Sequence, residues 1–266
     1  PGQSLIEFNT DPVVLLTLSA LIIIGGLGFL VWENIARKRS LRKFSVYTKL
    51  VLLITAALLA VGWAGTCLLE WNNPETLGGM TVGEKLLNGF FQSATLRTAG
   101  FAAIDQAKLT ESGKAFSSVL MFIGGSPGST AGGIKTTTAA VLVANAFAVF
   151  RRQKSPEMFG RRMEEKAVHD AAAIFTLYLV LSLTGAFVIS TVETLPLSEC
   201  LFETTSAIAT VGLSLGLTPH LGIVSQGILI FLMFIGRVGG LTMIYAALSG
   251  SKSSVARLPQ ERITVG

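Results

Sequence analysis

Two short strings of this chain, Thr98-Ala99-Gly100-Phe101 and Thr210-Val211-Gly212-Leu213, have residue types that can bind a dehydrated cation through the backbone. Each follows a semi-apolar stretch that is too short to cross a bilayer, at 84–96 and at 197–209. If each stretch is a helix that enters the membrane and stops at Thr-x-Gly, its negative dipole end favours cations there. The extended residues that follow can then replace the water shell of an ion with carbonyl oxygens. Glycine can adopt the backbone angles that turn those carbonyls inward.

An internal repeat supports this interpretation. A single Thr-x-Gly is common by chance, and a surface turn that contains glycine is the alternative. Gly100 and Gly212 lie 112 residues apart, and the same offset places Met121-Phe122-Ile123-Gly124 on Met233-Phe234-Ile235-Gly236. Because the two matches fall in different parts of the unit, they indicate a repeat. We therefore predict that the two strings are degenerate versions of a Thr-Val-Gly-Tyr-Gly cation filter.

Arg237 is a second candidate, because it lies inside the apolar run 221–248. An unpaired cation near the middle of a span costs at least about 2.5 to 3.5 kcal/mol on insertion scales and usually faces a cavity or a partner. We favour a fixed positive charge beside an ion path. The alternative is a structural role, with a backbone carbonyl or Glu203 as the partner.

A loop of small residues interrupts the apolar segment 115–150. As one helix this segment would span about 54 Å, whereas the hydrocarbon core is about 30 Å thick. Non-helical backbone at membrane depth is tolerated only where protein buries it or water lines it. We therefore predict a cavity or pore beside the loop, which consists of Gly124, Gly125, Ser126, Pro127, Gly128, Ser129, Thr130, Ala131, Gly132 and Gly133 and is followed by Ile134 and Lys135.

The loop has two other interpretations. A nucleotide-binding P-loop has the pattern G-x-x-x-x-G-K-[ST]. Gly128 and Gly133 have this spacing, but Ile134 separates the second glycine from Lys135, and the flanks are apolar runs of membrane type. The other interpretation is a packing kink between helices, which rarely needs ten residues. Lys135 either snorkels towards the interface or tethers the loop.

Composition indicates a polytopic membrane protein. The 266 residues are 50% hydrophobic and only 14% charged, with a mean hydropathy of +0.62. Cys67 and Cys200 are too few for a disulfide framework or a metal site, and His169 and His220 are isolated, so no role is assigned to them. Pro1 is not an initiator residue, and we expect the chain to begin partway through a longer protein.

Apolar runs predict five spans, at 13–32, 50–69, 115–150 (broken), 171–192 and 221–248. Basic residues cluster at 37–49, 151–166 and 252–262, and all three clusters fall on one side if the two short stretches re-enter the membrane. That side, with the C-terminus, is then cytoplasmic. The net charge of +5 therefore needs no nucleic-acid partner.

The predicted fold is an all-α polytopic membrane protein built of repeated units. Residues 1–40 form the inner helix of a preceding repeat, since Ile24-Gly25 resembles the end of the inner helix in the later units. Residues 41–150 form one repeat, with a pore loop at 84–101 and an interrupted inner helix. Residues 151–250 form the last repeat, with a pore loop at 197–214, and residues 251–266 form a cytoplasmic tail.

Three strings carry a resemblance to a known family: Arg97-Thr98-Ala99-Gly100-Phe101, the glycine string from Gly124 to Thr136, and Ile235-Gly236-Arg237-Val238-Gly239-Gly240. They closely resemble the KtrB family, the potassium-translocating membrane subunits of Ktr systems within the Trk/Ktr/HKT superfamily. Similarity runs over nearly the whole chain. The resemblance implies four M1–P–M2 repeats around one pseudo-fourfold pore, each with a filter glycine. Gly100 and Gly212 would be the third and fourth of these glycines, and the first two are absent from this chain.

The resemblance further implies potassium uptake that sodium stimulates, with K⁺ held by the backbone carbonyls of 98–101 and 210–213. Residues 124–133 would be a gating loop under the filter, and Arg237 an electrostatic barrier opposite. The implied partners are a second copy in a homodimer, with the tail 261–266 at the interface, and a cytoplasmic RCK ring (KtrA-like). No covalently bound cofactor is expected, and any nucleotide would bind only to the regulatory ring.

The function predicted from the sequence is therefore channel-like potassium permeation without enzyme activity, in the plasma membrane. A secondary transporter with broken helices and alternating access is the alternative. The two repeats have the same orientation and both short stretches enter from one face. In inverted-repeat transporters, by contrast, the two repeats usually have opposite orientations. A purely structural or regulatory membrane subunit is the third class, and it would leave Arg237 and the two Thr-x-Gly strings unexplained.

Overall fold

A computed structural model describes residues 4–38, 40–153 and 155–239 of the chain. Nine α-helices, four 3₁₀ helices of three residues each and one short hairpin make up the regular structure of this part. The helices are α1 (Pro12–Leu27), α2 (Phe29–Lys38), α3 (Val46–Glu70), α4 (Val82–Thr95), α5 (Glu111–Phe122), α6 (Thr136–Phe150), α7 (Glu165–Glu193), α8 (Leu197–Ile208) and α9 (Ile223–Val238). Strands β1 (Glu157–Met158) and β2 (Arg161–Arg162) pair antiparallel between α6 and α7. The predicted tail 251–266 lies outside the described residues.

Two helices, α3 and α7, are long and apolar enough to cross a membrane by themselves. They agree with the spans predicted at 50–69 and 171–192. Helices α6 and α9 are apolar but shorter. The predicted break in 115–150 is confirmed, since α5 ends at Phe122 and α6 begins at Thr136. The last predicted span begins as expected, but α9 ends at Val238, and 240–248 lie outside the described residues.

The helix predicted over 13–32 is broken at Gly28, although α1 and α2 together are long and apolar enough for one bent span. The helix begins as expected, because Asp11 accepts hydrogen bonds from the backbone N–H groups of Val13 and Val14 at 2.9 and 3.2 Å. It stops at Leu27, and α2 leaves at 89° to α1. Gly28 makes the turn with φ of 80°, a conformation that side chains other than glycine rarely adopt.

The short helices α4 and α8 are packed among the other helices of the chain. Helix α4 lies against α3 and α1, and α8 lies against α7, α5 and α9. Most of α8 from Cys200 onwards is buried, including Phe202 and Ile208. With 14 and 12 residues, these helices would be only about 21 and 18 Å long. They can therefore deliver the chain that follows them to the interior of the protein.

Helices α1 and α9 end in the same way. Each is followed by a glycine with positive φ, Gly28 at 80° after α1 and Gly239 at 91° after α9. The pair Ile24-Gly25 near the end of α1 corresponds to Ile235-Gly236 in α9, with the same spacing to the terminating glycine. Both helices thus end with the same local backbone geometry.

Candidate functional site

The first Thr-x-Gly string lies directly after α4. Thr81 begins this helix with a capping box, in which its hydroxyl and the Glu84 carboxylate bond to each other's backbone N–H groups. After the helix, Thr98 has φ of 65° and Gly100 has φ of 77°. The Thr95 hydroxyl, at the end of α4, donates to the carbonyl of Phe101 at 2.6 Å and accepts from its N–H at 3.0 Å. The string is therefore anchored to the helix that precedes it.

The second string repeats this conformation after α8. Thr210 has φ of 54° and Gly212 has φ of 90°. The Ser206 hydroxyl of α8 donates to the carbonyl of Leu213 at 2.5 Å, and the N–H of Val211 donates to the carbonyl of Ser206 at 2.8 Å. A positive φ in a β-branched residue is rare and costs about 1–3 kcal/mol, and such strain concentrates at functional sites. It occurs here twice, at equivalent positions.

The backbone carbonyls of these strings are open. The carbonyls of Phe101 and Leu213 bond to α4 and α8, as described above. Among the residues that the structure describes, no donor bonds to the carbonyls of 98–100 or of 210–212. Of these six residues only Val211 is buried and Gly212 is exposed, so water or a cation can be the partner of these carbonyls. The two strings thus present unpaired oxygens at the points where the sequence predicted ion coordination.

Three cavities surround the strings. One of about 420 Å³ is lined by Gly100 and Gly212 together with Asp105 and Thr218. A second, of about 300 Å³, lies between Thr98 and the loop residue Thr130. The third, of about 500 Å³, is lined by Thr210, Gly212 and Arg237, among other residues. The strings therefore share one cavity with each other, and each also lines a cavity that reaches the loop or Arg237.

The glycine-rich loop between α5 and α6 has a closed neck. Ile123 and Ile134 form a parallel β-bridge. The N–H of Gly124 donates to the carbonyl of Ile134 at 2.8 Å, and the N–H of Thr136 donates to the carbonyl of Gly125 at 3.0 Å. The two ends of the loop are thus fixed to one another, and residues 126–132 form the loop beyond this neck.

The loop packs directly against the two threonines of the strings. A Cβ atom added to Gly124 would lie 3.4 Å from Cγ2 of Thr98, and one added to Gly132 would overlap Oγ1 of Thr210. Similarly, a Cβ on Gly133 would lie 3.0 Å from Cα of Ala209. Glycine is required in the loop because the backbone approaches the strings this closely.

Two cations hold loop carbonyls. The Arg237 guanidinium donates through Nη1 to the carbonyl of Thr130, and Lys135 Nζ donates to the carbonyl of Ala131. Glu203 is not the partner of Arg237, since its carboxylate accepts from Ser214, Leu215 and Thr218 at 2.8 to 2.9 Å. Of the alternatives for Lys135, the structure has the one that tethers the loop.

The cysteines and histidines to which no role is assigned from the sequence are of two kinds. Cys67 and Cys200 are buried free thiols, and His169 and His220 are exposed. In the described ranges no group of three His, Cys, Asp or Glu side chains could hold a metal ion.

Sequence reasoning missed several residues that shape the site. Thr95 and Ser206 anchor the strings, and their position near the end of each short stretch was the available signal. Tyr47, whose hydroxyl donates to the carbonyl of Pro127 at 2.9 Å, carried no signal, because the contact joins residues 80 positions apart. Arg97 is 8% exposed, and its Nε has no hydrogen-bond partner among the described residues.

The apolar helices and the two open-carbonyl strings place the chain among helical membrane proteins. A family model described as a cation transport protein, TrkH, matches residues 1–255. The chain belongs to the TrkH family of cation transport proteins, whose members are transporters rather than enzymes.

Relatives align along the whole chain. It is 38% identical to the potassium/sodium uptake protein NtpJ of Enterococcus hirae, covering 100% of this chain and 60% of that protein. It is 36% identical to the Ktr system potassium uptake protein B of Bacillus subtilis, covering 99% of this chain and 59% of that protein. The corresponding protein of Vibrio alginolyticus is 37% identical, covering 100% and 58%. The predicted resemblance to the KtrB family is confirmed, and the chain spans about three fifths of the length of these relatives.

A solved structure shows the same fold. The potassium transporter TrkH from Vibrio parahaemolyticus superposes with a TM-score of 0.71 at 17% identity, over 89% of this chain and 52% of that one. The arrangement of helices is therefore that of a TrkH-type transporter, as far as the described residues extend.

Proposed function

We propose that this chain forms part of a pore for potassium uptake, in which residues 98–101 and 210–213 supply two sides of a selectivity filter. The observation that carries the proposal is the pair of Thr-x-Gly strings with unpaired carbonyls at 98–100 and 210–212. In each string a positive φ at threonine and at glycine flanks a residue outside the positive-φ region. Such an alternation would turn successive carbonyls to one side, where they could replace the hydration shell of an ion.

The other two sides of the filter would come from repeats outside this chain. This agrees with a chain that spans about three fifths of its relatives. In the complete protein, four M1–P–M2 units with re-entrant pore loops would then surround a pseudo-fourfold pore. The exposed position of Arg237 on α9 would place its charge beside that pore.

Residues 124–133 would be the gate of this pore. The loop lies against Thr98 and Thr210, so that an ion leaving the filter meets it next. Arg237, bonded to the carbonyl of Thr130, adds a positive charge on the same side and would act as an electrostatic barrier to cations. Opening would require the loop to leave the space below the filter.

We extend the proposal to finer properties, which the names of the relatives support in part. The names of two of them contain potassium/sodium uptake and Ktr system, which supports sodium-stimulated potassium uptake and regulation by a partner subunit. We place the protein in the plasma membrane with its basic clusters and C-terminus in the cytoplasm. It would act as a homodimer bound to a cytoplasmic RCK ring, which would carry the only nucleotide.

The experiment that tests this function is potassium uptake by the full-length protein in cells that lack their own uptake systems. Gly100→Asp and Gly212→Asp should each abolish growth at low potassium while the wild type restores it. Gly79→Asp is the matched control, because Gly79 is exposed and a Cβ there meets no atom within 4 Å. Full activity of both filter variants would favour the alternating-access transporter instead.

A further inference from the structure

The bend between α1 and α2 leaves backbone groups without helical partners, and the glycine-rich loop supplies those partners. A helix end exposes carbonyls that need donors from elsewhere. The carbonyl of Gly26 accepts from the N–H of Ser126 at 3.0 Å and from its hydroxyl at 3.1 Å. The same hydroxyl reaches the carbonyl of Leu27. In return, the N–H of Phe29, the first residue of α2, donates to the carbonyl of Gly128 at 3.2 Å.

The fit between loop and bend is close. A Cβ atom on Gly28 would lie 2.8 Å from the carbonyl oxygen of Pro127 and 2.9 Å from Oγ of Ser126. The Ser126 side chain is fully buried. Tyr47, in the first turn of α3, donates its hydroxyl to the carbonyl of Pro127 at 2.9 Å. Residues 126–128 are thus held by three helices that precede the loop in the chain.

Helix α2 makes two further hydrogen bonds, one to α1 and one to the residue that precedes α3. Its Trp32 donates through the indole N–H to the carbonyl of Ile24 on α1 at 3.0 Å, which fixes the bend. Its Asn34 accepts from the N–H of Ser45 at 3.2 Å, next to the start of α3. A displacement of α2 therefore moves the bend, the beginning of α3 and the loop together.

We propose that the bend at Gly28 and the hydroxyl of Tyr47 hold the loop in its position against the Thr-x-Gly strings, and we call this pair of contacts the latch. A displacement of α2 would release the latch. The latch holds residues 126–128, whereas Arg237 bonds to the carbonyl of Thr130 further along the loop. Tyr47 is a positioning residue, which acts on permeation only through the loop. This inference depends on the proposed function in one respect, that the loop is the gate.

The loop position can be measured without transport. In the full-length protein with its native cysteines replaced, Thr130→Cys provides a reporter, because the Thr130 side chain is exposed and only its backbone is bonded to Arg237. The labelling rate of this cysteine by a methanethiosulfonate reagent is compared in membranes with and without Tyr47→Phe. The variant should be labelled roughly twofold to tenfold faster, as expected for the loss of one hydrogen bond.

Matched controls separate the latch from general loosening. Tyr178→Phe alters a tyrosine of α7 whose hydroxyl bonds to the carbonyl of Ile235, away from residues 126–128, and should leave labelling unchanged. Trp32→Phe should accelerate labelling through the bend. Trp63→Phe, which removes a comparable indole bond to the carbonyl of Leu86 at 2.9 Å, should not.

The outcomes distinguish the two proposals. Equal labelling of the Tyr47→Phe, Tyr178→Phe and wild-type proteins overturns the latch, whatever the transport activity. Faster labelling in Tyr47→Phe and Trp32→Phe supports the latch. If potassium uptake without the regulatory partner also rises in these two variants, the loop is the gate. Faster labelling with unchanged uptake keeps the latch and rejects the gate.

Discussion

Gly100 and Gly212 contact each other backbone to backbone, but the contact is not symmetric. A Cβ atom on Gly100 would lie 2.5 Å from the carbonyl oxygen of Val211 and 3.1 Å from Cα of Gly212. A Cβ atom on Gly212 would meet only Cα of Gly100, at 3.5 Å. Both glycines have positive φ, yet only the first is enclosed by the other string.

We therefore expect Gly100→Ala to reduce potassium uptake by at least about tenfold, and Gly212→Ala to reduce it less. Alanine at either position is strained by the positive φ, at about 1–3 kcal/mol, and at position 100 it also displaces Val211. Uptake kinetics in cells without other potassium systems measure both. Gly83→Ala in α4, where a Cβ meets no atom within 4 Å, is the control. A larger loss in Gly212→Ala would contradict the asymmetry.

Gly212→Ser is expected to weaken the preference for potassium over sodium. The side chain and the restricted backbone angles disturb the carbonyls of one string, and selectivity depends on their arrangement. Competition between the two ions in uptake assays is the measurement. The same competition curve as for the wild type would argue against residues 210–213 as part of the filter.

The two roles of Arg237 can be separated by substitution. Its guanidinium carries a charge and also bonds to the carbonyl of Thr130. Arg237→Gln keeps a donor without the charge, whereas Arg237→Lys keeps the charge. If the charge is the barrier, Arg237→Gln should raise potassium flux several-fold and Arg237→Lys should stay near the wild type. If Arg237→Gln has the same flux as the wild type, the charge is not a barrier and the role of Arg237 is structural.

Deleting residues 126–132 should raise flux and weaken regulation, because Gly132 packs against Thr210 and Thr130 and Ala131 line the cavity at Thr98. The neck of the loop is a parallel bridge between Ile123 and Ile134, however, and parallel segments need a long connection. The deletion therefore also opens the neck. A Gly–Ser segment of equal length, which keeps the neck and removes the contacts of Ser126, should raise flux as well. Unchanged flux in both variants would reject the loop as a plug.

The sequence predicted the features that depend on local composition and on the repeat. The apolar spans of α3 and α7, the break after Phe122 and the two short helices all followed from run length and glycine content. The strained conformations of Thr98 and Thr210 occur at the offset that the repeat defined.

Features that depend on distant contacts were missed. The run 13–32 is uncharged throughout, and hydropathy does not register a change of helix direction. The bend at Gly28 is stabilised by Ser126 and Gly128, about 100 residues later in the chain. The contact of Tyr47 with Pro127 and the bond of Arg237 to Thr130 are of the same kind. No local pattern encodes them.

Helices α3 and α7 each end in a glutamate whose carboxylate binds the start of a later helix, α5 and α9 respectively. The two carboxylates differ in burial and in number of partners, so their removal should differ in its effect on stability. Glu70 ends α3, is fully buried, and accepts from Asn73, Thr76 and both the N–H and the hydroxyl of Thr110, which begins α5. Glu193 ends α7 and accepts from the N–H of Gly222 at 2.9 Å and the hydroxyl of Ser225 at 2.6 Å, where α9 begins.

Glu70→Ala should destabilise the protein by about 1–3 kcal/mol, because buried donors lose their acceptor. Glu193→Ala should have a smaller effect, since Glu193 has fewer partners and lies nearer the surface. Thermal unfolding of the purified full-length protein in detergent measures both. Glu75→Ala is the control, because this side chain is exposed and its nearest cation, Lys108, is 4.0 Å away. Equal unfolding temperatures for Glu70→Ala and Glu75→Ala would show that the cap of α5 does not stabilise the fold.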